Sequence, residues 1–509
     1  MQEHKLCRAA VGILLLAALL LSCVGCVPTG TEVPPSSGED EYQYLDGLGD
    51  RNYEGEEFTV SVLDTYKVEA YADEDSTEVL DEAVYKRNRR LEDRFNIKIV
   101  PHITLPNMPN QAAHITYMQN CFNDGSAAFD VGLLMAYKAG IMVMDGMLYE
   151  QREWLPYVRD SLKNGAAWWS NDINSAFTVL GKQYVSVSDW CITTVSMTYS
   201  IAFNKQYEED NNIAEGLGCS SMYDIVLQNA WTMENLRTLV KDLGEDLGED
   251  ERIDIENDFL GFACDTSTAL DAFAASAGLQ YVKNNGESAP EIFSMTSREI
   301  KLFEELAALF HGPGDGVLTE HYSDKVVSAF TQGRVFMVAL PLMRYAEESF
   351  HMMEEEYGIL PYPKLDANQA SYHAGTVDNF STVCILAVHD LSRMEFIGTV
   401  TEAISAETHN SVIRPYYELI VTHKNTHDEQ SIAMIELMMK GRLYDLATLH
   451  TSRIYYVKED FAAGNHSLYL LVRRAVNSPI TDISSHWEAV SGQLDICLGE
   501  LVEEYVNMY

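Results

Sequence analysis

The chain has 509 residues, 77 of them acidic and 35 basic, giving a formal net charge of −42 at pH 7. A field of that sign repels phosphate backbones and anionic lipid surfaces, and no basic stripe offsets it, so nucleic-acid binding is not expected. With 47% hydrophobic and 10% aromatic residues, the composition and length fit a well-cored globular protein of two or three domains.

Lys5 and Arg8 precede an apolar run over 9–21, shorter than the roughly 20 apolar residues a membrane-spanning helix needs. Residues 1–22 therefore read as an export signal. Leu20-Leu21-Ser22-Cys23 resembles the bacterial lipobox, which makes Cys23 the expected acylated position. Cys26, in Cys23-Val24-Gly25-Cys26, is the alternative register. Residues 23–52, with Pro28, Pro34, Pro35, Ser36, Ser37 and the acidic Glu39, Asp40 and Glu41, read as a lipidated acidic tether with little to bury. The expected location is the extracellular face of the cell membrane, held through the lipid anchor alone.

Downstream, a β-rich run at 57–63 predicts a strand. Leu80, Val84, Leu91 and Phe95 then fall at helical spacing and predict an amphipathic helix over 78–95. Short strands are expected at 96–101 and 130–135, an order that predicts an α/β lobe with helices on a largely parallel sheet. The β-branched runs at 191–204 and 378–387 read as two crossings between lobes. Helices are expected at 235–247, 269–277, 297–310, 323–331, 396–405, 428–439 and 487–506, with a strand at 335–339. The expected division is residues 53–195 as the first lobe, 196–380 mainly the second, and 381–509 as a return segment with C-terminal helices packing on both. Such a chain has hinge segments and a cleft, and domain interfaces are preferred small-ligand sites. Cys121, Cys191, Cys219, Cys264, Cys384 and Cys497 show no C-x-x-C spacing and read as small buried hydrophobes, with any disulfide pairing open.

Glu78-Val79-Leu80-Asp81-Glu82-Ala83-Val84-Tyr85-Lys86-Arg87-Asn88, continuing to Phe95-Asn96-Ile97, resembles the helix-strand signature of extracellular solute-binding proteins of bacterial ABC importers. Phe203-Asn204-Lys205, Tyr357-Gly358-Ile359-Leu360-Pro361 and Gly441-Arg442-Leu443-Tyr444-Asp445 are similar to further motifs of that family, in the same order. The resemblance spans about residue 55 to the C-terminus. It implies a periplasmic-binding-protein-like, maltose-binding-protein-like fold: two α/β lobes joined by hinge strands around a ligand cleft. It also implies a monomer that hands a mono- or oligosaccharide to ABC permease subunits, with no cofactor. One loop departs from the family pattern. Over 246–261 the family resembles a calcium loop, but Glu249 and Glu251 stand where its turn glycines are expected. Asp246, Asp250, Asp254 and Asp258 therefore read as a solvated acidic loop, and no metal is expected.

Sugars present an apolar face and a hydroxyl rim, so aromatics, carboxylates, amides and Arg near the crossings are the candidate contacts. Asp189 and Trp190 lie just before the first crossing. Tyr66 follows the first strand and Tyr137 the third, at strand carboxyl ends that line crevices in α/β sheets. Arg344 follows the strand at 335–339, Asp378 and Asn379 open the second crossing, and Tyr416 follows Pro415. The adjacent Trp168 and Trp169 point to different faces and read as core. The sequence carries no G-x-S-x-G, H-E-x-x-H or P-loop, so no enzyme is expected. A surface sensor or adhesion lipoprotein of the same fold is the alternative, and a glycoside hydrolase a weaker one.

Overall fold

In the computed structural model the described residues are 43–508, apart from 105–110, 322, 377, 424–425, 452–453, 455–470, 474–475 and 477–482. The expected signal, Cys23, Cys26 and the tether up to residue 42 lie outside them. Among the described residues no helix is long and apolar enough to cross a membrane.

From Leu48 onward the chain forms one compact unit built on two five-stranded sheets. The first begins with β1 (Glu56–Leu63), whose Phe58, Val60 and Val62 are buried. The helix α1 (Val79–Phe95) buries Ala83, Val84, Leu91 and Phe95 and ends where Asn96 turns left-handed at φ 48°. That turn feeds β2 (Ile97–Thr104), parallel to β1 along its whole length from Glu56 opposite Ile97 to Leu63 opposite Thr104. β3 (Val131–Met135) pairs parallel on the other side of β1 and runs straight into α2 (Ala136–Met144). β4 (Val185–Ser186) is the far edge of this sheet.

The second sheet takes β5 (Tyr199–Asn204), β6 (Leu260–Asp265), β7 (Val317–Glu320), β8 (Val335–Pro341) and β9 (Tyr357–Leu360), in the spatial order β9-β5-β8-β6-β7. β6 leads into α3 (Thr268–Ser276). β10 (Ser381–Cys384) then returns to the first sheet, antiparallel between β3 and β4. The later helices α4 (Met394–Ser411) and α5 (Ile483–Asn507) follow. The result is a mixed α/β fold in which each sheet has two parallel and two antiparallel pairings. The antiparallel ones are made by one inserted strand, β10 in the first sheet and β5 in the second, so neither sheet is as largely parallel as expected.

Two expected elements differ. The run 191–204 is not one extended crossing: Thr193–Ser196 is a turn of helix before β5. Its threonines satisfy themselves locally, Thr194 Oγ1 donating to the Cys191 carbonyl at 2.9 Å and Thr198 Oγ1 to the Thr194 carbonyl at 2.8 Å. Such bonds compete with a strand ladder and override the β-branched composition. The helix expected over 235–247 occupies Met233–Val240 instead, started by the Thr232 side chain accepting from Asn235 N–H. It stops because the Lys241 carbonyl takes the Gly316 N–H at 2.9 Å and Glu245 pairs with Phe259 in a bridge.

The two crossings run side by side. Thr198 and Thr376 form an antiparallel bridge, and the Tyr199 N–H donates to the Gly375 carbonyl at 2.9 Å. Gly375 lets the two segments approach α3 closely: a Cβ there would lie 3.0 Å from both Ala272 Cα and Ala275 Cβ, so α3 would have to give by a few tenths of an ångström. The six described cysteines are free thiols, five of them buried.

Candidate functional site

Two cavities meet at Asp378, just before β10. The first, a narrow one, is lined by Tyr199 at the start of β5, Asp271 of α3, Tyr281, Tyr444 and Asp445. The second, roomier, is lined by Tyr137 and Lys138 of α2 and by Asn379. Asp378 lines both. One cavity thus faces the second sheet and its following helix, the other the carboxyl end of β3 in the first sheet. Carboxyl ends of strands in open α/β sheets, and junctions between sheets, are where such folds place ligands.

The walls are held by hydrogen bonds within the chain. The Tyr199 hydroxyl shares a bond with Thr268 Oγ1 at 2.6 Å. Asp445 caps its own helical turn by accepting the Ala447 N–H at 2.9 Å, and also accepts the N–H groups of Tyr281 and Val282. That carboxylate fastens the backbone at Tyr281 and Val282 to the return segment. Burial pushes it up to about 6, against lowering by those three N–H groups. Arg473 holds Asp271 through two bonds, Nη2 to Oδ2 at 2.6 Å and Nε to Oδ1 at 3.2 Å. Even so, burial pushes Asp271 up to about 7, with Asp265 and Asp378 adding to the rise. Burial also raises Asp378, only partly offset by Arg473. Asp378 has no ion-pair partner of its own among the described residues. Next to it, Asn379 Oδ1 is buried with no hydrogen-bond partner.

The structure brings three sequence-predicted residues together. Tyr137 lines a cavity with Asp378, whose charge raises the Tyr137 hydroxyl after burial itself. Tyr66, half-buried in the 3₁₀ turn after β1, is pushed up to about 12 by burial, with Glu69 and Tyr137 contributing.

Four others are placed elsewhere. Trp190 is fully buried; its indole N–H donates to the Glu69 carbonyl at 2.8 Å and its ring packs 6.3 Å from Phe58. It is core and presents no face to a ligand. Asp189 pairs with His409 Nδ1 at 2.5 Å. Arg344 pairs with Asp324 at 2.6 Å and Glu347 at 3.0 Å, a surface ion-pair pattern. Tyr416 is buried within the core cluster of the second sheet. Trp168 and Trp169, expected to point to different faces, both donate their indole N–H to one carboxylate, Glu402, at 2.7 and 2.9 Å, with Trp169 buried and Trp168 half-buried.

Sequence reasoning passed over Tyr199, Asp271, Tyr281, Tyr444 and Asp445. For two of them a signal was present: Tyr444 and Asp445 end the Gly441-Arg442-Leu443-Tyr444-Asp445 motif. In the same resemblance, Arg87 and Asn88 are architectural. Arg87 Nη2 donates to the Glu69 carbonyl at 2.8 Å and Asn88 Nδ2 to the Ala70 carbonyl at 2.9 Å, holding the segment that carries Tyr66.

In the acidic loop the carboxylates are occupied by the chain itself. Asp258 accepts the Leu247, Gly248 and Asp254 N–H groups at 2.9, 3.0 and 2.7 Å, and Asp246 accepts that of Glu251 at 2.8 Å. Glu249 and Glu251, at the expected glycine positions, have φ of 52° and 65°. Among the described residues, no group of three or more His, Cys, Asp or Glu is placed to hold a metal ion.

No family model matches the chain, and no curated protein matches it in sequence. Solved structures do match in shape. The maltose/maltodextrin-binding domain MalE of Bdellovibrio bacteriovorus, bound to maltotriose, superposes with a TM-score of 0.52 at 10% identity, covering 88% of this chain and 100% of that one. The apo form of RafE from Streptococcus pneumoniae gives 0.52 at 14% identity over 87% and 98%. The chain has a periplasmic-binding-protein-like fold. A family 1 extracellular solute-binding protein from Bifidobacterium longum subsp. infantis shares that binding-protein fold at a TM-score of 0.50 and 12% identity, over 88% and 100%. The bridged segments at Thr198–Tyr199 and Gly375–Thr376 border the first of the two cavities that meet at Asp378.

Proposed function

We propose that the chain is the extracellular solute-binding component of an ABC importer, capturing a mono- or oligosaccharide at Asp378 and delivering it to a membrane permease. The observation that carries the reading is the position of Asp378: one carboxylate lines cavities facing both sheets, at the point where the chain crosses back between them. Tyrosines beside carboxylates offer apolar surface for a sugar face and acceptors for its hydroxyl rim. One of the similar structures, a MalE, holds maltotriose, which supports a carbohydrate as the solute. Acylation at Cys23, or at Cys26 in the alternative register, anchors the monomer to the outer face of the membrane in the same reading.

A thermal-shift screen over mono- and oligosaccharides, polyols and peptides tests it. A ligand at 100-fold its Kd stabilises the native state by about 2.7 kcal/mol, a rise in Tm of a few degrees for a chain of this size. Oligosaccharides raising Tm, with Asp378→Ala abolishing the rise, is the expected result. A response confined to peptides, or turnover of the saccharide, overturns the reading.

A further inference from the structure

Both crossings meet at one buried carboxyl. Glu69 is fully buried, and its Oε1 accepts the Thr193 N–H at 2.8 Å and the Thr193 hydroxyl at 2.7 Å. The Thr193 hydroxyl oxygen in turn accepts the N–H of Ser381, the first residue of β10, at 2.8 Å. The other carboxyl oxygen, Glu69 Oε2, is buried without a hydrogen-bond partner among the described residues. So is Ser381 Oγ, which lies beside the carboxyl. The charged and titratable groups that face Glu69 are Arg87 of α1, Cys191 of the first crossing and Tyr66 of its own segment. Arg90 and Glu407, themselves paired at 2.5 Å, act on Arg87. The Arg87 guanidinium is spent on neutral acceptors: the Glu69 backbone carbonyl at 2.8 Å, Thr408 Oγ1 at 3.1 Å and Asn88 Oδ1 at 2.9 and 3.0 Å.

A neutral carboxyl completes this arrangement. Oε1 already accepts two donors, so the acid proton belongs on Oε2, where Ser381 Oγ is the acceptor beside it. That bond closes a ring from Glu69 through Thr193 and Ser381 back to Glu69, and it satisfies both unpartnered atoms. An ionised carboxyl in the same place is costly to bury. Burial accordingly pushes Glu69 up to about 7, against lowering by Ser381, Thr193 and Arg87. We propose that Glu69 is a proton-operated clasp: as a neutral acid it ties the two crossings together, and its ionisation lets them part while both sheets stay folded. The closed clasp holds its proton more tightly than an opened one in water, so opening becomes easier as pH rises. Segments of this kind absorb the bending in hinge closure, and the inference is independent of which solute the chain captures.

Hydrogen exchange of the ligand-free protein, read by mass spectrometry at pH 5.5 and 7.5 and corrected for the intrinsic rate at each pH, tests the clasp. The peptides are 188–199 and 379–387 from the crossings and 335–341 from β8. The crossing peptides lose at least about tenfold in protection between the two pH values. At pH 7.5 they are also at least about tenfold less protected than β8, as local opening requires. Glu69→Gln places an amide N–H where the neutral acid has its O–H, so the ring stays closed at both pH values and the loss disappears. Ser381→Ala removes the acceptor and lowers crossing protection already at pH 5.5. Crossing peptides as well protected as β8 at both pH values overturn the clasp. So does a loss that persists in Glu69→Gln, or a Ser381→Ala variant that matches the native protein at pH 5.5. The native protein and Ser381→Ala decide the matter even where Glu69→Gln does not fold.

Discussion

Thr193 donates twice to one oxygen of Glu69, its backbone N–H at 2.8 Å and its hydroxyl at 2.7 Å. The same hydroxyl accepts the Ser381 N–H at 2.8 Å. One fully buried carboxyl thus joins the first crossing, the second crossing and the segment after β1 that carries Tyr66. Burial pushes Glu69 up to about 7, against lowering by Ser381, Thr193 and Arg87. The folded chain therefore holds this proton more tightly than the unfolded chain does. The resulting stabilisation is full below the unfolded carboxylate pKa and is lost as pH rises through about 7, up to about 3 kcal/mol. Glu69→Gln keeps an acceptor for Thr193 and removes the titration. The Tm of this variant relative to the native chain rises between pH 5 and pH 8. A difference that stays flat across that range contradicts the assignment.

Trp190 acts on stability and not on affinity. Truncation of a fully buried Trp costs about 3–5 kcal/mol, and here it also leaves the Glu69 carbonyl without the indole donor at 2.8 Å. Trp190→Phe keeps most of the volume. Denaturant melts should show the loss for both variants, smaller for Phe, while the Kd of folded Trp190→Phe stays within about threefold of the native value. A selective loss of affinity without a loss of stability would place Trp190 in the site.

Glu402 receives both indole N–H groups of the adjacent Trp168 and Trp169, and Ser161 donates to it at 2.5 Å. Replacing it by Leu strands these donors, at about 1–3 kcal/mol for each buried group left unpaired. Glu402→Gln retains one acceptor and loses less. Chemical denaturation of the two variants should rank them in that order, and equal stabilities would falsify the bridging role.

In the acidic loop, Glu249 and Glu251 sit at φ of 52° and 65°, a conformation that costs a side chain about 1–2 kcal/mol and glycine little. Glu249→Gly and Glu251→Gly each relieve that strain, partly offset by the greater freedom of the unfolded chain. Each substitution should raise stability by about 0.5–1 kcal/mol in thermal melts. A fall in Tm for both would mean that the glutamates make contacts worth more than their strain.

The strands and amphipathic helices were legible in the sequence because they depend on local periodicity. Val84, Leu91 and Phe95 recur at helical spacing and keep that period in the structure, while Phe58, Val60 and Val62 alternate in a strand that is buried on both faces from Val60 to Leu63. The turn at Thr193–Ser196 was not legible, since it arises from threonine hydroxyls finding backbone carbonyls and from a carboxylate 124 residues away. Asp378 and Tyr137 were reached from their places at the ends of expected strands. Trp190 misled because a tryptophan before a crossing has the same local sequence whether it faces a cleft or, as here, a core backed by Phe58. Asp271 and Tyr281 carried no local mark at all. Their role depends on where α3 and the backbone at Tyr281 meet Arg473 and Asp445, which are contacts across more than 160 residues.

The central claim is that Asp378 lies at the heart of a saccharide-capture cleft. A crystal structure of the mature chain with the tightest-binding oligosaccharide from the screen tests it most directly. A sugar hydroxyl within about 3 Å of an Asp378 carboxylate oxygen is expected, with tyrosine from the 199, 281 or 444 wall against the sugar. A saccharide bound away from Asp378, with both cavities unchanged, would contradict it.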